Sequence, residues 1–327
     1  MRKIAHFIAN SSIATVVAML LCVGLLIYFV LVSDVVAPIG GVDAWAYLGL
    51  LLYPLLGIFA VRLNRGFTSS SSRTLFPVTL LMMGCSLSPQ ILESYGVVCT
   101  LAFIAFYYLL SDTYRKHQSM ERYFVAFALL SIVTFVTPQL LLLLPFLILC
   151  CIPLKSLHLR TVCAALIGII FPYWMAFGIL FFTDDLAFFP QHFSAAITIL
   201  PPTFDTISFP IRGWMLTIPY LAIQVGWALL LLIPSVANVF FCSSMKVSVR
   251  ANLSFVSLLT IISLLGMFFL PTICSSLLPL LLLWAAILGD SFFVVPLTRA
   301  NNIFLTILTI LWVVLYVLLV WSISLAY

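Results

Sequence analysis

Charge is what this chain has least of. Of its 327 residues only 7% are Asp, Glu, Lys or Arg, while 65% are hydrophobic. A soluble domain is about half apolar and about a quarter charged. Its single core stops growing at roughly 250–300 residues, and most of its surface must be covered by polar groups that are missing here. An ordinary soluble fold is therefore excluded, and lipid becomes the expected solvent.

Recognisable catalytic motifs are absent too. There is no P-loop, no GxGxxG, no HExxH and no GxSxG, which removes the common nucleotide, zinc-protease and serine-hydrolase classes. The eight cysteines include no CxxC pair and form no Cys/His cluster with zinc spacing, so neither a disulfide framework nor a metal site is expected, and no cofactor is indicated. Vicinal Cys150 and Cys151 read as helix packing, with a redox pair as the alternative. The four histidines are isolated, three of them beside basic residues. A net charge of +5 could suggest nucleic acid, but no dense basic patch interleaved with stacking aromatics exists, so no nucleic-acid partner is expected.

What is present is a succession of apolar runs. In hydrocarbon every backbone amide must be paired internally, so stretches of about twenty apolar residues become helices and irregular backbone moves to the surfaces. Cutting at polar and proline-rich breaks predicts an all-α, polytopic transmembrane bundle of about eleven helices. Their ranges are 11–32, 45–61, 74–91, 95–111, 121–137, 139–154, 161–183, 213–241, 251–270, 275–296 and 302–323. The first, preceded by Arg2 and Lys3, reads as an uncleaved span rather than a signal peptide. No soluble domain can be separated, so residues 1–327 form one integral membrane domain.

The hardest cut is Tyr123 to Leu154, 32 nearly continuous apolar residues broken by Thr137-Pro138-Gln139. One helix of that length would be about 48 Å long, against a hydrocarbon core of about 30 Å. Pro138 disfavours helical geometry before it and lacks a donor, so a hairpin of two short helices is expected. Charge agrees with this count. With the amino terminus inside, thirteen of the fourteen Lys and Arg residues fall on the inner side, which is then cytoplasmic. Arg212 alone falls outside, with Asp34, Asp43, Glu93, Asp184, Asp185 and Asp205. Eleven spans put the carboxyl terminus outside.

Candidate functional residues gather on the outer side. The loop 183–212 holds Asp184, Asp185, Gln191, His192, Asp205 and Arg212 among phenylalanines and four prolines. Its apolar content predicts an interfacial segment, either a plain connector or a lid. As a lid, Asp184, Asp185 and His192 would face substrate and Arg212 would hold a phosphate or carboxylate. Gln90 and Gln139 occupy matching Pro-Gln turns, after Arg73 and Arg122 at equal intervals. They either mark ordinary turns or face a shared outward cavity. Asp43 precedes Ala44 and Trp45 at a helix start, where it suits an N-cap or a general base for an acceptor hydroxyl. Within the spans Asp290 is the exceptional carboxylate, so ion-coupled transport is disfavoured.

Two stretches carry a resemblance. Gly41-Val42-Asp43-Ala44-Trp45-Ala46-Tyr47 and the hairpins with Leu87-Ser88-Pro89 and Thr137-Pro138-Gln139 are similar to membrane-embedded glycosyltransferases of the GT-C type. That likeness implies an acidic residue in the first outer loop acting on a polyprenyl-phosphate-linked sugar, with Asp43 in the catalytic position and Arg212 toward the lipid phosphate. The second span here begins sooner after the acid than is usual in that class. Arg62-Leu63-Asn64, the Arg73 hairpin and Gly168-Ile169-Ile170-Phe171-Pro172 resemble an uncharacterised family of multi-pass bacterial inner-membrane proteins, which implies that location but no activity. A transferase on a lipid-linked glycan is the leading expectation. A transporter or flippase, and a non-catalytic subunit of an envelope complex, are the alternatives.

Overall fold

The computed structural model describes residues 94–116, 119–183, 187–197, 206–211, 214–219, 225–229, 247–270, 274–294 and 306–317, with Leu20, Gly24, Met83 and Ile303 as single positions. Most of the first three expected spans lie outside the described residues. Two units are distinguished, residues 95–202 with 242–281 and residues 1–94 with 203–241 and 282–327.

The 95–202/242–281 unit is built on an up-and-down path whose ends are fixed by hydrogen bonds. Helix α1 (Ser94–Ser111) is followed by α2 (Met120–Val133). The chain then turns and returns through a 3-10 turn (Pro138–Leu142), the short α3 (Leu144–Cys150) and a second 3-10 turn (Ile152–Leu154). Helix α4 (Leu159–Phe182) rises again beside α2, and the short α5 (Phe188–Ile197) follows it. The expected break at Thr137-Pro138 is present. The return leg is not the single helix expected over 139–154, because Pro138, Pro145 and Pro153 each remove a backbone donor.

At one end of this path hydroxyl groups tie the turns together. Ser156 Oγ lies 2.8 Å from Tyr123 Oη and 3.2 Å from Thr113 Oγ1, and Thr161 Oγ1 shares its proton between the His158 carbonyl at 2.8 Å and the Ser156 carbonyl at 3.2 Å. All four side chains are buried, so each hydroxyl needs the partner it has. The knot brings the end of α1, the start of α2 and the start of α4 together, and with them Arg115, Lys116, Arg122, Lys155 and Arg160. At the opposite end Cys99 Sγ lies 3.7 Å from Thr137 Oγ1. The return leg thus runs antiparallel to α2, and α2 and α4 run parallel.

Helices α2 and α4 touch along a stripe of small residues. Thr161, Ala165, Gly168 and Pro172 are the buried positions of α4, spaced three or four apart on one face. A Cβ at Gly168 would stand 2.5 Å from the Phe124 carbonyl oxygen, so only glycine permits this approach. Helix α6 (Val247–Phe269) packs on α1 and the return leg, with Phe255 stacked 5.8 Å from Tyr107 and Gly266 against Leu143. Its Ser257, Thr260 and Ser263 donate to carbonyls of the preceding turn, which satisfies polar groups inside an apolar helix.

In the other unit a hairpin pairs β1 (Thr206–Ile211) with β2 (Trp214–Pro219), in register Ile211↔Trp214 through Thr206↔Pro219. Residues 214–219 were expected to open a helix over 213–241 and are strand instead. The physical reason is that both runs are rich in β-branched and aromatic residues, Thr206, Ile207, Phe209 and Ile211 against Trp214, Thr217 and Ile218, which suit a paired strand. Helix α7 (Cys274–Val294) begins in the first unit and ends in this one. Here too Trp312 Nε1 donates to the Met83 carbonyl at 3.0 Å.

Apart from the hairpin, the described elements are helices joined by turns. Among them Leu159–Phe182 and Val247–Met267 are long and apolar enough to cross a membrane, and Val98–Ser111, Leu144–Leu154, Ser276–Gly289 and Thr306–Val317 are shorter apolar helices.

Candidate functional site

At the end of the 95–202/242–281 unit remote from the cations, the loop after α4 folds back as α5. Phe188, His192 and Ala196 share one face at i, i+4 and i+8 spacing, with His192 and Ala196 buried and Phe188 half-buried, while Gln191 and Ser194 are exposed. Amphipathic spacing of this kind lays a short helix on a surface rather than through it. Two anchors hold it. Gln139 Nε2, at the first 3-10 turn, donates to the Ala195 carbonyl at 3.2 Å. His192 Nε2 lies 3.0 Å from Tyr173 Oη of α4.

Aromatic rings enclose the second anchor. The His192 imidazole stacks on Phe188 at 5.3 Å between centroids and lies 5.7 Å from both Phe135 and Tyr173. Tyr173 in turn stacks on Phe193 at 5.8 Å, and Phe177 meets Phe189 at 5.8 Å. Contacts of this geometry are worth about 0.5–1.5 kcal/mol each beyond the area they bury. Only 5% of His192 is exposed, and burial holds its pKa below the ordinary 6.5.

The chain of hydroxyls behind His192 fixes where its protons are. Thr134 Oγ1 donates to the Ser131 carbonyl at 2.6 Å, and a carbonyl can only accept. Thr134 has one proton, so Tyr173 Oη, 2.6 Å away, must donate to Thr134. The His192 Nε2–H then donates to Tyr173. Neutral His192 is thereby the Nε2–H tautomer, and Nδ1, with no hydrogen bond among the described residues, is its free acceptor. Chemically, the arrangement presents one oriented base in an aromatic seat.

Of the residues singled out from sequence, His192 lies on α5 and Gln139, at the first 3-10 turn, donates to the α5 backbone at Ala195. Asp43, Gln90, Asp184, Asp185 and Arg212 lie outside the described residues, so a shared cavity of Gln90 and Gln139 is not described. Thr134 and Tyr173 were missed. The available signal was a hydroxyl inside each apolar span, which must find a partner there. Among the described residues no group of three His, Cys, Asp or Glu could hold a metal, and Cys99, Cys150, Cys151 and Cys163 are free thiols.

The chain matches no protein-family model, no curated protein and no solved structure.

Proposed function

We propose that this chain is a multi-pass protein of the cell inner membrane, with about eleven spans and its cation-rich end in the cytoplasm, that acts as a transferase on a lipid-linked glycan at the outer face. The surface of α4 carries the membrane setting. Eleven of its large apolar side chains are exposed, among them Ile170 at 62%, Trp174 at 66% and Phe182 at 87%, and only 11% of its most apolar stretch is buried. At roughly 1 kcal/mol for each half-exposed large side chain, that surface would forgo about 10 kcal/mol of burial in water. This rivals the whole stability of a typical domain. A core helix of a soluble fold would be buried, and a signal sequence lies near the amino terminus; α4 fits neither description. Lipid removes the conflict, since the helix satisfies its own backbone and offers the acyl chains an apolar surface.

The transferase part is supported by the likeness of the Asp43 loop and the Pro-Gln hairpins to GT-C enzymes, and by the chemistry of the His192 seat. Nδ1 can take a proton from a hydroxyl, and the surrounding rings offer flat apolar faces. On this reading Asp43 holds the catalytic position, Arg212 the lipid phosphate, and Asp184, Asp185, Gln90, Gln139 and His192 line the substrate. Replacing Asp43→Asn together with Arg212→Ala is expected to deplete the glycan product, read by mass spectrometry of extracted lipid-linked sugars. Unchanged glycans and unchanged growth would remove the transferase reading.

A further inference from the structure

We propose that Arg115, Lys155 and Arg160 form a site for the phosphate of an anionic phospholipid at the cation-rich end of the 95–202/242–281 unit. The proposal rests on the membrane reading of the chain and is independent of any activity at the opposite end.

Backbone conformation is the first observation. Arg115 and Lys155 have φ of 57° and 53°, and they are the non-glycine residues with positive φ among those described. The left-handed region crowds Cβ against the backbone, and chain reversals after helices ordinarily place glycine or asparagine there. Here both positions carry a long cationic side chain instead. They are also neighbours, because the Arg115 N–H donates to the Leu154 carbonyl at 3.1 Å. Two costly residues of like charge are thus set side by side, a pattern that packing does not require.

Arg160 joins them. It lies exposed in the first turn of α4, where the helix dipole opposes a cation. The next residue, Thr161, accepts the His158 N–H at 2.8 Å and shares its own proton between the His158 and Ser156 carbonyls. Through Ser156 this turn is pinned to Thr113, two residues before Arg115. All three cations therefore ride on loops fixed by the buried hydroxyl knot.

Charge accounting is the second observation. Among the described residues this end has the cations Arg115, Lys116, Arg122, Lys155 and Arg160, with Arg250 in the first turn of α6 as a sixth, and the carboxylates Asp112 and Glu121. Asp112 is engaged by Lys116 and by Arg122, which hold its carboxyl below the usual range, Arg122 contributing most. Among the described residues no carboxylate pairs with Arg115, Lys155 or Arg160. Beside them Leu159 is 81% exposed and Ile152 57%. Arg115 lies over the Tyr114 ring at 5.4 Å, which leaves its charge uncompensated. Cations without a carboxylate partner, bordering bare apolar surface, match a molecule with an anionic head and an acyl body, and basic residues at the cytoplasmic interface attract such lipids. A soluble phosphate would have no use for the apolar rim.

The test is native mass spectrometry of the full chain in detergent, titrated separately with dioleoyl phosphatidylglycerol and dioleoyl phosphatidylcholine. The wild-type chain is expected to bind the anionic lipid at about tenfold lower concentration. In R115G/K155G, glycine suits the left-handed backbone, so the thermal midpoint should hold or rise while the tenfold preference is lost; R160Q should reduce it several-fold. The control D112N/K116Q/R122Q removes the paired charges and should leave the preference intact. An unchanged preference in R115G/K155G, equal loss in the control, or displacement of the lipid by millimolar inorganic phosphate would each overturn the proposal. Failure of the membrane reading itself would look different, as binding of neither lipid.

Discussion

Adding one methyl group at Gly168 should pry α2 from α4. The new Cβ would stand 2.5 Å from the Phe124 carbonyl oxygen, 3.2 Å from its carbon and 3.3 Å from the Ala128 nitrogen. All three are backbone atoms and cannot rotate away. The shortfall from an ordinary 3.4 Å contact is about 0.9 Å, so the helices must separate by nearly that much. The next residue accepts a hydrogen bond across the same seam, Ser131 Oγ to the Ile169 carbonyl at 2.7 Å. Parting would stretch it beyond bonding distance. Overpacking costs about 1–3 kcal/mol and the lost bond about 1 kcal/mol, so Gly168→Ala should destabilise by roughly 2–4 kcal/mol. At Gly178, on the same helix, an added methyl would meet no atom within 4 Å; Gly178→Ala should be neutral or, through helix propensity, stabilising by up to about 1 kcal/mol. Reversible unfolding in mixed detergent micelles, followed by tryptophan fluorescence, measures both. If the two variants fall within about 0.5 kcal/mol of each other, the close approach of α2 and α4 is refuted.

Docking of α5 should weaken in acid. Burial lowers the His192 pKa, so the folded seat binds fewer protons than the undocked helix; stability is full above about 6.5 and is lost as pH falls from there toward the folded value. The groups packed around the imidazole are Phe135, Tyr173, Phe188 and Phe193, with no described carboxylate to offset its charge. A spin label at position 194 should become more mobile between pH 7.5 and 5, and His192→Phe should abolish that dependence; an equal response in the variant would refute the assignment. At the other end, Ser156→Ala removes the hydroxyl that bonds Tyr123 and also the second bond of Thr113, which keeps the Leu110 carbonyl at 2.6 Å, and should cost about 1–3 kcal/mol, whereas Tyr123→Phe leaves Ser156 bonded to Thr113 and should cost about 0.5–1.5 kcal/mol. The reverse order in chemical denaturation would mean that Ser156 is not the hub of the knot.

The parts of the fold that sequence reading reached are those where solvent alone dictates structure. Ser94–Ser111, Leu159–Phe182, Val247–Phe269 and Cys274–Val294 lie within a few residues of the expected spans, because each is an apolar run bounded by polar or proline residues. Pro138 marked its own turn. The pairing of Thr206–Ile211 with Trp214–Pro219 was passed over because Trp214–Pro219 is as apolar as any span, and strand pairing depends on residues that a helical period ignores. In the site, Gln139 and His192 stood out as polar residues in an apolar loop and turn. Their partners did not, since Thr134 and Tyr173 are 39 residues apart and each reads locally as span filler. Nor does any local pattern reveal that Arg115 and Lys155 are adjacent, which follows only from the hairpin that joins their turns.

The account stands on the two ends of the α2–α4 bundle facing opposite sides of a membrane. In a chain with its native cysteines replaced, single cysteines at Ser194 on α5 and at Lys116 in the cation-rich turn should be probed in intact cells with a membrane-impermeant maleimide. Ser194→Cys should react at once, and Lys116→Cys only after the cells are permeabilised. Reaction of both in intact cells, or of Lys116→Cys alone, would contradict the account.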